Sequence, residues 1–153
     1  MGRSFIQPTQ GQREDAVKIK LNAVRSVVQG KRVIMIDDSI VRGTTCARIV
    51  GLLREAGASE VHMLVSSPPF RHPCYFGTDI DSCEKLIACR LHSEEEIAKE
   101  IGADSLGYLS VESVNRIAKN ASCQFCDGCF TGNYPVEPPK ETPKDKFEER
   151  IIK

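Results

Sequence analysis

Two adjacent carboxylates, Asp37 and Asp38, close the apolar run Val33-Ile34-Met35-Ile36 and stand directly before Ser39-Ile40-Val41-Arg42-Gly43-Thr44-Thr45. Carboxylates accept hydrogen bonds from sugar hydroxyls and support a hydrated Mg²⁺. The segment after them supplies hydroxyls, a glycine that permits close backbone approach, and successive N–H groups at the expected start of a helix, which together form a nest for an anion. Along a regular strand the two acids would face opposite ways, so both can meet one ligand only if the strand ends there and the chain turns. A phosphate in the nest with a polyol against the acids reads as a ribose phosphate. The plainer reading of the same string is two acids at a helix start with nothing bound.

Other phosphate loops are excluded by pattern. The chain has neither Gly-x-x-x-x-Gly-Lys-Ser/Thr nor Gly-x-Gly-x-x-Gly, so neither a nucleotide triphosphatase loop nor a dinucleotide fingerprint is supported.

The elements that must position this loop alternate. Gly11 to Val28 is basic, with Val17, Leu21, Val24 and Val28 at helical spacing; Val33 to Ile36 reads as a parallel strand covered on both faces. Ile49, Leu52, Leu53 and Ala56 share one face of the next helix, which Gly57 stops. Val61 to Val65 is the next strand, Ser93 to Glu96 is a capping box for a helix carrying Ile97 and Ile101 up to Gly102, and a strand near Leu106–Leu109 and a helix from Val111 to Lys119 follow. The expected fold class is α/β, part of a doubly wound parallel sheet, with ligand bound beyond the carboxyl ends of the strands. The expected organisation is a basic segment and helix over 1–30, the core over 31–120, a cysteine segment over 121–135, and a charged, proline-containing tail over 136–153.

Seven cysteines form the second constellation. Without a secretory leader they argue against a disulfide framework, and Cys126-x-x-Cys129 is a spacing by which one loop grips a metal or a cluster. Zinc is the generic alternative, and Cys123-x-x-Cys126-x-x-Cys129 matches three ligands of a ferredoxin-like run with no fourth following. Cys46, Cys83 and Cys89 read as small buried hydrophobes, and Cys123 stays undecided. His72, before Pro73, reads as positioning Cys74; the sequence reveals no partner for His62 or His92.

These residues carry a family resemblance. The acidic loop resembles the signature of the type I phosphoribosyltransferases. Gly2-Arg3-Ser4-Phe5-Ile6-Gln7-Pro8, Lys20-Leu21-Asn22, Ser66-Ser67-Pro68-Pro69, His72-Pro73-Cys74-Tyr75-Phe76-Gly77 and Cys126-Asp127-Gly128-Cys129-Phe130-Thr131-Gly132-Asn133-Tyr134-Pro135 narrow the resemblance to the glutamine phosphoribosylpyrophosphate amidotransferase family, in its iron–sulfur form, from residue 2 to about 135. The resemblance implies a glycosyltransferase of the pentosyl class that takes ammonia from glutamine to phosphoribosyl pyrophosphate, giving 5-phosphoribosylamine and pyrophosphate at the first step of purine synthesis. It implies that Asp37, Asp38, Ser39, Val41, Arg42, Gly43, Thr44 and Thr45 bind the ribose 5-phosphate, that Asp37 and Asp38 serve Mg²⁺, and that no residue here acts as a nucleophile. It also assigns Cys74, Cys126 and Cys129 to a [4Fe–4S] cluster whose fourth ligand lies upstream of Met1. Arg3, Arg13, Lys18, Lys20 and Arg25 match a lid over the diphosphate, or else form a solvated helix face. With no glutaminase part recognisable, the expectation is a carboxy-terminal part of the transferase domain that makes no phosphoribosylamine from glutamine by itself, within an enzyme that is a homo-oligomer.

Bulk composition adds exclusions. Lys plus Arg and Asp plus Glu both number 21, so no net charge calls for nucleic acid or an anionic membrane, and no apolar stretch or leader points to membrane insertion or secretion. A cytoplasmic place follows as the default. Three rivals remain at this point: a non-enzymatic regulator that senses phosphoribosyl pyrophosphate, a zinc-stabilised binding module, and a salvage phosphoribosyltransferase.

Overall fold

A computed structural model of the chain describes residues 23–78, 80, 82–117, 121–123 and 125–138. The basic cations Arg3, Arg13, Lys18 and Lys20, most of the predicted first helix, the end of the helix predicted to reach Lys119, and the tail from 139 lie outside the described residues. The elements are α1 (Arg25–Val28), β1 (Arg32–Asp37), α2 (Thr44–Glu55), β2 (Glu60–Val65), a 3₁₀ turn (Cys83–Lys85), α3 (Ile87–Arg90), α4 (Glu94–Ile101), β3 (Ser105–Tyr108), α5 (Val111–Ile117) and α6 (Gly128–Thr131).

The three strands form a parallel sheet in the order β1-β2-β3. Residue pairs in register share a face, so Val33, Met35 and Asp37 lie with Val61, Met63 and Val65, and these in turn with Leu106 and Tyr108. That face is the core side, where Met63 and Val65 pack with Ile97, Ala98 and Ile101 of α4, Ile87 and Ala88 of α3, and Cys46 of α2. The opposite face carries Ile34, Ile36 and Leu64, which are 62%, 73% and 47% exposed. The expectation that β1 is covered on both faces is therefore corrected: among the described residues only one face is clad. The cause is handedness. Two successive right-handed crossovers that advance in the same direction across a sheet lay both connecting helices on the same side.

Local sequence chemistry sets the helix ends. Ser93 Oγ accepts the N–H of Glu96 at 3.1 Å, and the Glu96 carboxylate accepts the N–H groups of Ser93 at 3.4 Å and of His92 at 2.8 Å, completing the capping box read from the sequence. Those backbone donors hold the Glu96 carboxyl below the usual carboxylate range. Truncating the cap by Ser93→Ala should lower stability by about 1 kcal/mol, read as a lower urea midpoint with an unchanged slope. An unchanged midpoint would mean that α4 is held by its buried face alone.

A single carboxylate pins three elements together at the amino ends of the strands. Asp104 Oδ2 accepts the backbone N–H of Val61 and the Arg54 guanidinium, both at 2.6 Å, while Arg54 also donates to the carbonyls of Ser59 and Gly102. The end of α2, the start of β2 and the turn into β3 are fixed by these contacts, which leaves the opposite ends of the strands for ligand.

Candidate functional site

β1 ends at Asp37, as the paired acids require, and the chain bends at Asp38. Asp37 Oδ1 accepts the N–H of Asp38 at 2.9 Å, and Ser39 Oγ donates to Asp38 Oδ1 at 2.7 Å, so the two carboxylates are held at one corner rather than on opposite faces. Ser66 at the end of β2 ties the same corner down, its N–H at 3.0 Å and its hydroxyl at 3.1 Å from the Asp37 carbonyl.

The loop from Ser39 to Gly43 is anchored by burying Ile40 near its start and Gly43 at its end. Ile40 is 1% exposed and Cys46, one turn into α2, is 3% exposed; both belong to the core cluster with Ile87. Cys46 Sγ lies 4.0 Å from Asp37 Oδ2, and burial, with Asp37 as second cause, pushes its thiol up to about 12, so it stays neutral beneath the acid. Gly43 begins α2 at φ +83°, and a Cβ on it would sit 2.6 Å from Ile87 Cδ1. Only glycine satisfies both the backbone angle and the space. The N–H of Ile87 donates to the Val41 carbonyl at 2.9 Å, which fixes the loop's other side.

The first N–H groups of a helix have no partner within it, and no side chain caps α2. Among the described residues none accepts a hydrogen bond from the N–H groups of residues 39–45. Thr44 and Thr45 are exposed beside them, and a twelve-residue helix stands behind with its positive end on the loop. Asp37, Asp38, Ser39, Val41, Arg42, Gly43, Thr44 and Thr45 are thus brought together at the carboxyl edge of the sheet.

A second cluster is built from the 70–78 loop and α6. The N–H groups of Arg71 and His72 both donate to the Cys129 carbonyl at 3.0 Å, the Tyr134 hydroxyl donates to the Pro73 carbonyl at 2.7 Å, and the rings of Phe70 and Phe130 meet with centroids 5.0 Å apart. The His72 ring packs against Gly132. Burial raises the Cys74 thiol, but amide donors from Phe76, Thr78 and Gly77 outweigh it and bring the thiol below its ordinary value. Cys129 is pushed up to about 11, first by burial and then by the neighbouring Cys74, with Cys126 a further contributor. Cys129 therefore feels both other sulfurs, although among the described residues no three His, Cys, Asp or Glu side chains converge as a metal site. Cys123 is exposed.

Two readings of single residues change. Cys83 and Cys89 are not independent buried hydrophobes: they are joined by a disulfide, Cys83 being exposed and Cys89 half-buried. Periodicity could not find this, because the pairing depends on a 3₁₀ turn running into a four-residue helix. His62 does have partners, Glu60 Oε2 at 2.9 Å from Nε2 and Ser105 Oγ at 2.8 Å from Nδ1. The i, i+2 spacing of Glu60 and His62 on a strand was the available signal.

Over 156 residues the chain is 53% identical to the amidophosphoribosyltransferase of Bacillus subtilis, an alignment covering 99% of the chain and 33% of that enzyme. The chain is homologous to about one third of an amidophosphoribosyltransferase. It is also 54% identical over 138 residues to amidophosphoribosyltransferase 1 of the Arabidopsis thaliana chloroplast, covering 90% of the chain and 24% of the relative. Among solved structures, glutamine phosphoribosylpyrophosphate amidotransferase from B. subtilis complexed with ADP and GMP superposes with a TM-score of 0.75 at 56% identity, over 92% of this chain and 32% of that one. The fold is thereby that of a type I phosphoribosyltransferase. No family model matches the chain. No helix among the described residues is long and apolar enough to cross a membrane.

Proposed function

We infer that the chain carries the ribose-phosphate-binding part of an enzyme that moves ammonia from glutamine onto phosphoribosyl pyrophosphate, releasing pyrophosphate and forming 5-phosphoribosylamine for purine synthesis. The observation that carries this reading is the set of N–H groups over 39–45 that have no acceptor among the described residues, placed at the start of α2 and next to two fixed carboxylates. Its solved neighbour is complexed with ADP and GMP, both ribose 5-phosphate esters, which supports the same ligand chemistry.

The residues divide the work by charge. The backbone from Ser39 to Thr45, with the Thr44 and Thr45 hydroxyls, would hold the three oxygens of the 5-phosphate. Asp37 and Asp38 would accept the ribose hydroxyls and the water shell of Mg²⁺. That ion would supply charge compensation for the departing diphosphate. Displacement at the anomeric carbon proceeds with positive charge developing on the sugar, so pinning the pentose against the two acids would serve without a protein nucleophile. Cys74, Cys126 and Cys129 would be three ligands of a structural [4Fe–4S] cluster: the amide cradle on Cys74 suits a thiolate, and ligation would displace the proton that burial first, and the neighbouring Cys74 second, hold on Cys129. The whole enzyme would act in the cytoplasm as a homo-oligomer.

Titration of ribose 5-phosphate into the chain, followed by calorimetry, tests the binding half. Asp38→Asn should weaken affinity roughly 10- to 100-fold, the range for removing a charged hydrogen-bond partner, while leaving far-ultraviolet circular dichroism unchanged. Absence of any saturable binding by the folded wild-type chain would sink the reading.

A further inference from the structure

We propose that Cys83 and Cys89 form a thiol–disulfide exchange site whose oxidation state sets how firmly Ile87 holds the phosphate loop. The proposal rests on the phosphate reading of that loop, and its test keeps the two separable.

The pair brackets the residue that matters. Cys83 opens the 3₁₀ turn, Cys89 lies in α3, and Ile87 stands between them. Ile87 is 1% exposed, donates its N–H to Val41 and fills the space in front of Gly43, so the cross-linked segment is the floor of the loop. Joining residues six apart removes much of the freedom by which that floor can swing away.

Both sulfurs also share one acceptor. The Arg71 carbonyl oxygen lies 3.0 Å from Cys89 Sγ and 3.7 Å from Cys83 Sγ. Two thiols can donate to it, whereas a disulfide has no proton to give. Arg71 in turn donates its N–H to the Cys129 carbonyl and its guanidinium to the Ala88 carbonyl at 3.3 Å. A change at the sulfur pair therefore meets the cysteine segment on one side and the neighbour of Ile87 on the other.

Exposure selects the point of attack. Cys83 is exposed and Cys89 half-buried, so the thiolate of an incoming dithiol attacks Cys83 Sγ, the S–S bond breaks, and Cys89 leaves as a thiolate that takes up a proton. The second thiol of the reductant then attacks the mixed disulfide, freeing Cys83, which is likewise protonated. Two electrons and two protons pass to the protein, and the reductant departs as its own cyclic disulfide. Oxidised glutathione closes the bond by the reverse exchange.

The test uses the intact chain equilibrated with oxidised glutathione or with dithiothreitol. Alkylation and peptide mapping should show Cys83 and Cys89 blocked together in the first state and both labelled in the second. Hydrogen exchange at the Ile87 amide should be roughly five- to tenfold slower in the oxidised state, since local opening is what the cross-link restricts. Ribose 5-phosphate should bind more tightly in that state by a similar factor, and the Cys83→Ser, Cys89→Ser double variant should respond to neither reagent. Free thiols at both positions under oxidised glutathione overturn the proposal, as does a formed bond that leaves Ile87 exchange unchanged. If Ile87 exchange responds but ribose 5-phosphate binds in neither state, the exchange site stands and the phosphate reading fails.

Discussion

Replacing Gly43 by valine should abolish measurable ribose 5-phosphate binding, while Gly51→Ala eight residues along the same helix should leave binding intact and raise stability. The contrast follows from what each added side chain meets. At Gly43 the backbone stands at φ +83°, where an L side chain costs about 1–2 kcal/mol, and a Cβ would press on Ile87 Cδ1 at 2.6 Å and Ile101 Cγ2 at 3.4 Å. Both isoleucines are core residues, so overpacking adds about 1–3 kcal/mol more. The cheapest relief is for the loop to leave its position, which disperses the amides over 39–45 and removes the nest. At Gly51, within α2, an added Cβ meets nothing within 4 Å, and the helix gains roughly 0.5–1 kcal/mol from lost backbone freedom in the unfolded chain. Calorimetric titration with ribose 5-phosphate and urea unfolding of both variants check this. Unaltered affinity in a folded Gly43→Val chain would show that the amides are not the anion site.

The second large effect concerns sulfur. In a whole enzyme that joins this chain to the upstream fourth ligand, protein purified without oxygen should carry iron and sulfide, and Cys74→Ser or Cys129→Ser should lose iron by more than the roughly 10–100-fold in affinity that an outer-shell change costs. Cys123→Ser should retain iron, since the resemblance assigns no ligand role to it. Cys129, raised to about 11, is protonated at neutral pH and must release its proton on ligation. Iron uptake should therefore weaken as pH falls. Stoichiometric zinc in place of iron and sulfide would favour a zinc-stabilised module instead.

What could be read from residues alone were the features whose causes are local. The run Val33–Ile36, the capping box at Ser93 and Glu96, and the turn forced by adjacent acids each depend on neighbours within four residues, and each is found where its pattern lies. The sidedness of the sheet was not legible, because it depends on the hand of two crossovers taken together rather than on any strand's composition. The four-residue helices α3 and α6 are too short to show a period, so the packing of Ile87 on Gly43 and the joining of Cys83 to Cys89 were hidden with them. Of the two partners of His62, Ser105 was hidden because it lies 43 positions away, whereas Glu60 stands two residues before it on the same strand.

The carboxylate of Asp104 bears on how the sheet assembles in time. It bridges the amide that starts β2 and the guanidinium at the end of α2, so the β1-α2-β2 unit and the strand that follows α4 are coupled through one side chain. Docking of the last strand is thereby linked to completion of the first crossover, which favours cooperative, all-or-none assembly over stepwise accretion from one end.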